Sequence, residues 1–259
     1  MQRDPADAAP LAAPRRQRAD QLLVDRGLVE SRARAQALIL AGKVYSGERR
    51  VEKPGVALPA ETPLELRGQD HPWVSRGGVK LDHALRHFGL SPAGLLCLDI
   101  GASTGGFTDV LLHHGAARVV AVDVGHGQLA WRLRNDPRVT VLERVNARYL
   151  EAAQLPPGPV GALVCDASFI GLATVLPAPL ALCRPGAWAV ALIKPQFEVG
   201  PAVAKGGVVR DAAVHRMVCD RVSAWWAGLG GWRVLGVEAS PLLGPEGNRE
   251  FLIAAWREE

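Results

Sequence analysis

Asp99-Ile100-Gly101-Ala102-Ser103-Thr104-Gly105-Gly106-Phe107-Thr108 sets an acid at the end of an apolar run, follows it with a glycine-rich turn, and then opens a helix-like pattern. In doubly wound folds such a strand-turn-helix unit makes a nucleotide pocket, because the turn admits a ligand close to the backbone at a helix start. Asp123 closes the next apolar run, Val119 to Asp123, where a second strand would present a carboxylate to a ribose diol. Ser103 occupies the position where a dinucleotide fingerprint needs its middle glycine, which weakens a pyrophosphate reading. Asp99 also suits a cation and repels a phosphate. The turn therefore points to an adenosine-type ligand carrying positive charge.

Further along, Asp166 ends the run Ala162 to Asp166 and Lys194 ends Ala187 to Lys194. With Asp99 and Asp123 they line up at strand carboxyl ends, the edge where such sheets bind ligands. Around Asp166 there is neither the Asn-Pro-Pro-aromatic motif that serves an amine acceptor nor the Pro-Cys nucleophile that serves a cytosine C5, and Cys165 should point into the core. A hydroxyl acceptor fits better. It needs a base, and a lysine serves if its free pKa of about 10.4 is depressed by burial and a neighbouring ammonium. Lys80, Lys194, Asp166 and Glu250 contain the charges for that balance.

The elements that must position these groups alternate: strand Leu95 to Ile100, a helix from Gly106, strand Val119 to Asp123, a helix near Gly127 to Leu133, and strand Val139 to Leu142. Strands at Ala162 to Asp166 and Ala187 to Lys194, a long helix from Asp211 to Leu229, and strands Trp232 to Glu238 and Glu250 to Ala255 complete an α/β pattern with a mostly parallel sheet. Gly78 to Phe88 has helical spacing and should pack on this larger domain. Upstream, Leu22, Leu23 and Leu28 mark a short helix. Ser31 caps a second one over Arg32 to Ala41, Gly42 ends it, and Val44, Val51 and Leu64 indicate short strands.

Residues 1–17 read as a disordered tail, 18–66 as a compact module, 67–74 as a linker and 75–259 as the large domain. Of 259 residues, 48% are apolar and 22% charged, and no stretch is long enough to span a bilayer. The tail has no continuous apolar block, which excludes a secretory signal. Cys97, Cys165, Cys183 and Cys219 lack Cys-x-x-Cys spacing, so reduced thiols in a cytoplasmic protein without bound metal are expected. The net charge of +4 lies in the first third: residues 1–90 carry 15 Lys and Arg against 11 Asp and Glu, and the remainder carries 15 of each. Arg32 and Arg34 face outward on the second helix, followed by Lys43, Arg49, Arg50 and Lys53. They fit a phosphate backbone or a merely solvated surface equally well.

Asp99-x-Gly101-x-Ser103-x-Gly105 resembles the first motif of S-adenosylmethionine (SAM) methyltransferases. Arg18-x-Asp20-x-x-Leu23, Ser31-Arg32-x-x-Ala35 and Ala41-Gly42-Lys43-Val44 resemble the alpha-L RNA-binding motif, over nearly all of residues 18–66. That likeness shifts the basic surface toward structured RNA, recognised by shape and backbone. The Lys-Asp-Lys-Glu order is similar to that of FtsJ-type ribose 2′-O-methyltransferases. The fuller likeness is to the TlyA family, known also as haemolysins. It is carried by Trp73 to Leu81, Asp99 to Asp109 with Asp123 to Leu129, Asp166 to Ile170, Ile193 to Glu198, and Ser240 to Glu250.

The resemblance implies a Rossmann-like methyltransferase domain with a seven-stranded sheet behind a small α+β RNA-binding domain, acting as a monomer or weak dimer on cytidine 2′-hydroxyls of ribosomal RNA or ribosomal subunits. It implies Lys80, Asp166, Lys194 and Glu250 as the catalytic set with Lys194 as base, Glu198 and Glu246 competing with Glu250 for the fourth place. It assigns SAM to Asp99, Gly101, Ser103, Thr104, Gly105, Gly106, Phe107, Asp123 and Asn146, and RNA to Arg18, Arg32, Arg34, Lys43 and Arg76. The target nucleotide would have to leave its helix for its ribose to be reached. Three rivals stand beside this: an RNA-binding assembly factor that retains a SAM fold, a small-molecule O-methyltransferase, and a membrane-active haemolysin. For the last, the sequence offers no basic amphipathic helix.

Overall fold

The structure is a computed structural model that describes residues 16–29, 31–67, 71–200, 203–244 and 247–258. The chain divides into two compact units, residues 1–69 and 70–259. Most of the expected tail and the centre of the expected linker lie outside the described residues.

In the first unit, β1 (Arg16–Arg18) pairs antiparallel with β4 (Ala57–Pro59), so Arg16 and Gln17, expected in the tail, are strand residues. Helices α1 (Ala19–Asp25) and α2 (Arg32–Leu40) follow β1. Ser31 Oγ accepts the Arg34 amide at 3.2 Å, the side-chain cap expected at the start of α2. A three-stranded sheet orders β3 (Arg49–Arg50), β2 (Val44–Ser46) and β5 (Glu65–Leu66). Val51 lies just beyond β3, in the core with Leu23, Ala35, Leu38, Ile39 and Val44.

The second unit is a seven-stranded sheet in the order β11-β12-β10-β9-β6-β7-β8. Its strands are β6 (Leu96–Ile100), β7 (Arg118–Asp123), β8 (Val139–Glu143), β9 (Val160–Cys165), β10 (Cys183–Ile193), β11 (Trp232–Ala239) and β12 (Phe251–Arg257). Neighbours are parallel except β12, which runs against both β10 and β11. Alternate strand residues enter two cores. Leu98, Ile100, Leu163, Cys165, Ala191 and Ile193 join one, under α9 (Ala212–Ala227). Cys97, Ala162, Val164, Leu192 and Leu252 join the other, under α3 (Gly77–Phe88) and α4 (Gly106–His113). Burial on both faces explains why these strands read as unbroken apolar runs.

Asp211 caps α9 by accepting the Ala213 amide at 2.7 Å. The helix expected near Gly127 to Leu133 is shorter, only α5 (Trp131–Arg134), because Gly127 takes a φ of +70° and its amide is held by Glu143 instead of starting a turn. Short helices α6 (Leu172–Val175), α7 (Pro177–Ala181) and α8 (Pro195–Glu198) were not foreseen. Trp73, expected in a linker, is buried among Leu81, Phe107 and Val110.

Candidate active site

Asp123 ends β7, while Asp166 and Lys194 each sit one residue past β9 and β10. Continuing the strand alternation, Asp166 is in phase with Val164 and Lys194 with Leu192, so both fall on the face covered by α3 and α4. Glu250 joins them because β12 is reversed. Phe251 is the register partner of Ile193, so the residue before β12 lies beside the residue after β10. Lys80, on α3, closes the set from above.

Four charges thus meet as two ion pairs. Lys80 Nζ lies 2.5 Å from Glu250 Oε2, and both residues are buried. Lys194 Nζ lies 2.7 Å from Asp166 Oδ1 and also donates to the Asp166 carbonyl at 3.1 Å and to Ser168 Oγ at 2.8 Å. The sequence reading placed one ammonium beside another; in the structure a carboxylate stands against each. Ser168 holds the Lys194 ammonium and had not been singled out, although it lies in the Asp166 to Ile170 block. The space at Gly77 where a Cβ would sit is 3.7 Å from Asp166 Oδ2, which brings the start of α3 over the acid. A Cβ at Gly244 would overlap the Glu250 carboxylate.

Of the competing acids, Glu198 Oε1 accepts the Leu172 amide at 2.8 Å, a local anchoring role, and Glu246 lies outside the described residues. Cys165 is buried, and burial pushes its thiol up to about 12, which leaves no thiolate for C5 chemistry. At the rim, Phe169 is 89% exposed with a φ of +66° and packs its ring against Phe197 at 4.9 Å. Lys194 Nζ lies 6.0 Å from the Phe197 ring centre.

The glycine-rich turn is built around two acids. Asp123 accepts the Ser103 amide at 2.8 Å and the Gly125 amide at 2.7 Å, tying the turn to the end of β7. Ser103 has a φ of +47° and donates its hydroxyl to Gln128 Oε1 at 3.1 Å. Asp99 is not the strand-end group that was expected. It lies inside β6, fully buried, with Oδ2 accepting the Thr108 hydroxyl at 2.7 Å. Its Oδ1 is buried without a hydrogen-bond partner among the described residues. Burial pushes the Asp99 carboxyl up to about 7, the Thr108 bond opposes this, and the Asp166 charge adds to it.

Several residues expected against a cofactor have protein neighbours that explain them. A Cβ at Gly101, where φ is +78°, would come within 2.9 Å of the Ala167 backbone. The corresponding space at Gly105 is filled by Leu129 and Leu133, and that at Gly106 by Ser75 and the Gly78 amide. Phe107 is a core residue and Thr104 is buried. Asn146 is exposed and caps a short turn by accepting the Arg148 amide at 3.1 Å.

In the first unit, Asp20 is fully buried and collects Arg18 at 2.9 Å, Arg32 at 3.2 Å and Gln36 at 3.0 Å. The Arg18 hydrogen bond holds its carboxyl well below the usual range. Two of the arginines expected to meet RNA are therefore anchored at one end, each with about half its side chain still exposed. Arg34, Arg49, Arg50 and Lys53 are exposed, Lys43 is half-buried, and in the second unit Arg76 is exposed at the start of α3.

Residues 73–257 match the FtsJ-like methyltransferase family and residues 17–62 match the S4 domain. The 16S/23S rRNA (cytidine-2′-O)-methyltransferase TlyA of Mycobacterium tuberculosis is 51% identical over 241 residues, 92% of this chain and 89% of that protein. Hemolysin A of Brachyspira hyodysenteriae is 38% identical over 236 residues, 91% of this chain and 98% of its own. A solved structure of a candidate hemolysin from Streptococcus thermophilus superposes with a TM-score of 0.75 at 42% identity, covering 95% of this chain and 90% of that one. Among the described residues, no helix is long and apolar enough to cross a membrane.

Proposed function

The chain belongs to the TlyA family of FtsJ-like methyltransferases, and from that membership we propose that it transfers a methyl group from SAM to the 2′-hydroxyl of a cytidine in ribosomal RNA, in the cytoplasm. The observation that carries this reading is the meeting of Lys80, Asp166, Lys194 and Glu250 on one face of the carboxyl edge, without a thiolate or an amine-methylation motif beside them.

The pocket's donor set fits the cofactor. A buried acceptor, Asp99 Oδ1, has no partner beside the glycine turn and suits an ammonium, and Asp123 ends the neighbouring strand where a ribose diol would lie. SAM, when bound, supplies an electrophilic methyl on a sulfonium. Lys194 Nζ would take the 2′-hydroxyl proton as that methyl is transferred, which requires it first to give up the proton it carries in the ion pair with Asp166. Asp166 and Ser168 fix the direction of that nitrogen, and Asp166 balances the ammonium it becomes. Lys80 and Glu250 form the second pair of the set. The exposed ring of Phe169 offers a stacking face for a base turned out of its helix. The S4 unit supplies the cations that hold structured RNA by its backbone.

The test is incubation of ribosomal subunits with methyl-labelled SAM. The wild-type chain is expected to transfer label, and Lys194→Ala to lose transfer while binding SAM within about twofold of wild type. Transfer retained by the variant removes Lys194 as the base.

A further inference from the structure

Helix α3 carries polar side chains beyond Lys80. His83 and His87 stand four residues apart, so they project from one face a turn apart, with ring centres 5.9 Å from each other. Glu238, near the end of edge strand β11, reaches both: its Oε1 is 3.6 Å from His83 Nε2 and its Oε2 is 3.8 Å from His87 Nε2. One ligand atom from each residue lies within 4.8 Å of the others. These separations are too long for hydrogen bonds, and His83 Nε2 is buried with no hydrogen-bond partner among the described residues. His114 differs, since its Nε2 sits 2.9 Å from Asp82 Oδ1 and is satisfied. Three donors that converge without bonding one another enclose room for an ion.

We propose that His83, His87 and Glu238 form a divalent transition-metal site, with zinc as the ion that fits best. Two imidazole nitrogens and one carboxylate oxygen are a zinc donor set, whereas calcium and magnesium take oxygen ligands. Tetrahedral zinc bonds of about 2.0–2.2 Å place ligand atoms roughly 3.3–3.6 Å apart. The two His–Glu separations, each to a different oxygen of the Glu238 carboxylate, are close to this already, and a side-chain adjustment of about 1 Å brings one of those oxygens and both rings within it. His87, with 43% of its side chain exposed, leaves a fourth position open to water. Lys80 ties α3 to the start of β12, and the metal ties the same helix one turn further on to β11. The site is a clamp on the helix that delivers Lys80, separate from the reacting groups. The cysteine spacing that excluded metal from the sequence does not bear on it.

The test uses the full-length chain stripped by chelator and titrated with zinc, by calorimetry and by thermal unfolding, with cobalt as a visible probe. Wild type is expected to bind one equivalent and to gain about 5 °C in Tm at hundredfold excess over Kd. The His83→Ala/His87→Ala variant loses that equivalent, Glu238→Gln weakens it at least tenfold, and His114→Ala keeps it. Cobalt in the wild-type chain gives tetrahedral absorption bands, a readout independent of how any variant folds. Absence of those bands, zinc uptake unchanged in the double variant, or its loss in His114→Ala overturns the proposal.

Discussion

Lys80 and Glu250 are 170 residues apart in sequence, yet their charged atoms stand 2.5 Å from each other, and both residues are buried. The contact exists because β12 is the reversed strand of the sheet, so its first residues share an edge with the ends of the parallel strands. A helix laid over that edge needs only one inward lysine to close the site.

Removing one member of this pair leaves a buried charge without a partner. Lys80→Met is expected to cost about 3–5 kcal/mol in urea unfolding, and Lys80→Met with Glu250→Leu to recover most of it. Neither variant is expected to transfer methyl groups, so the double variant separates stability from chemistry.

Asp123 holds the Ser103 and Gly125 amides together. Asp123→Ala frees both and removes the acid proposed to face the ribose. SAM affinity is expected to fall at least tenfold in calorimetry, about 1.4 kcal/mol or more, with the far-UV spectrum unchanged.

Asp99 makes stability depend on pH with an unusual sign. Its folded pKa, about 7, lies above the usual carboxylate range, so the folded state holds a proton that the unfolded state has released between about pH 4 and 7. Stability contributed by that proton is full below the unfolded value and is lost as pH rises through 7. The expected slope in that window is a fall of at most about 1.4 kcal/mol per pH unit. Asp99→Asn should remove this component from the pH profile of denaturant midpoints.

The first unit is expected to bind RNA through charge. Arg34→Ala and Lys43→Ala should each weaken binding across RNA sequences. Each should also reduce the slope of log K against log salt by up to about 1, as measured by filter binding across a salt series. Arg32→Ala should act mainly on stability instead, since Arg32 is drawn to buried Asp20.

Much of this was legible in the chain because alternation and strand ends are local features. Asp123, Asp166 and Lys194 could be placed from the apolar runs they close, and Ser31 from the helix it caps. What escaped depended on burial or on partners distant in sequence. Arg18 and Arg32 look like free cations until Asp20 is seen to be buried beneath them. Gly105 and Gly106 look like ligand clearance until Leu133 and Gly78 are found in that space. The His-x-x-x-His spacing of α3 stands in the sequence, but Glu238 reaches it only through the order of the sheet.

The most direct test of the account is the chemical position of the transferred methyl group. Ribosomal RNA labelled by the chain and methyl-tritiated SAM is hydrolysed with alkali and its products are separated. A 2′-O-methyl blocks cleavage of its own linkage, so label in alkali-resistant dinucleotides that begin with cytidine is the result predicted here. Label recovered in ordinary mononucleotides would place the methyl on a base and contradict the role assigned to Lys194.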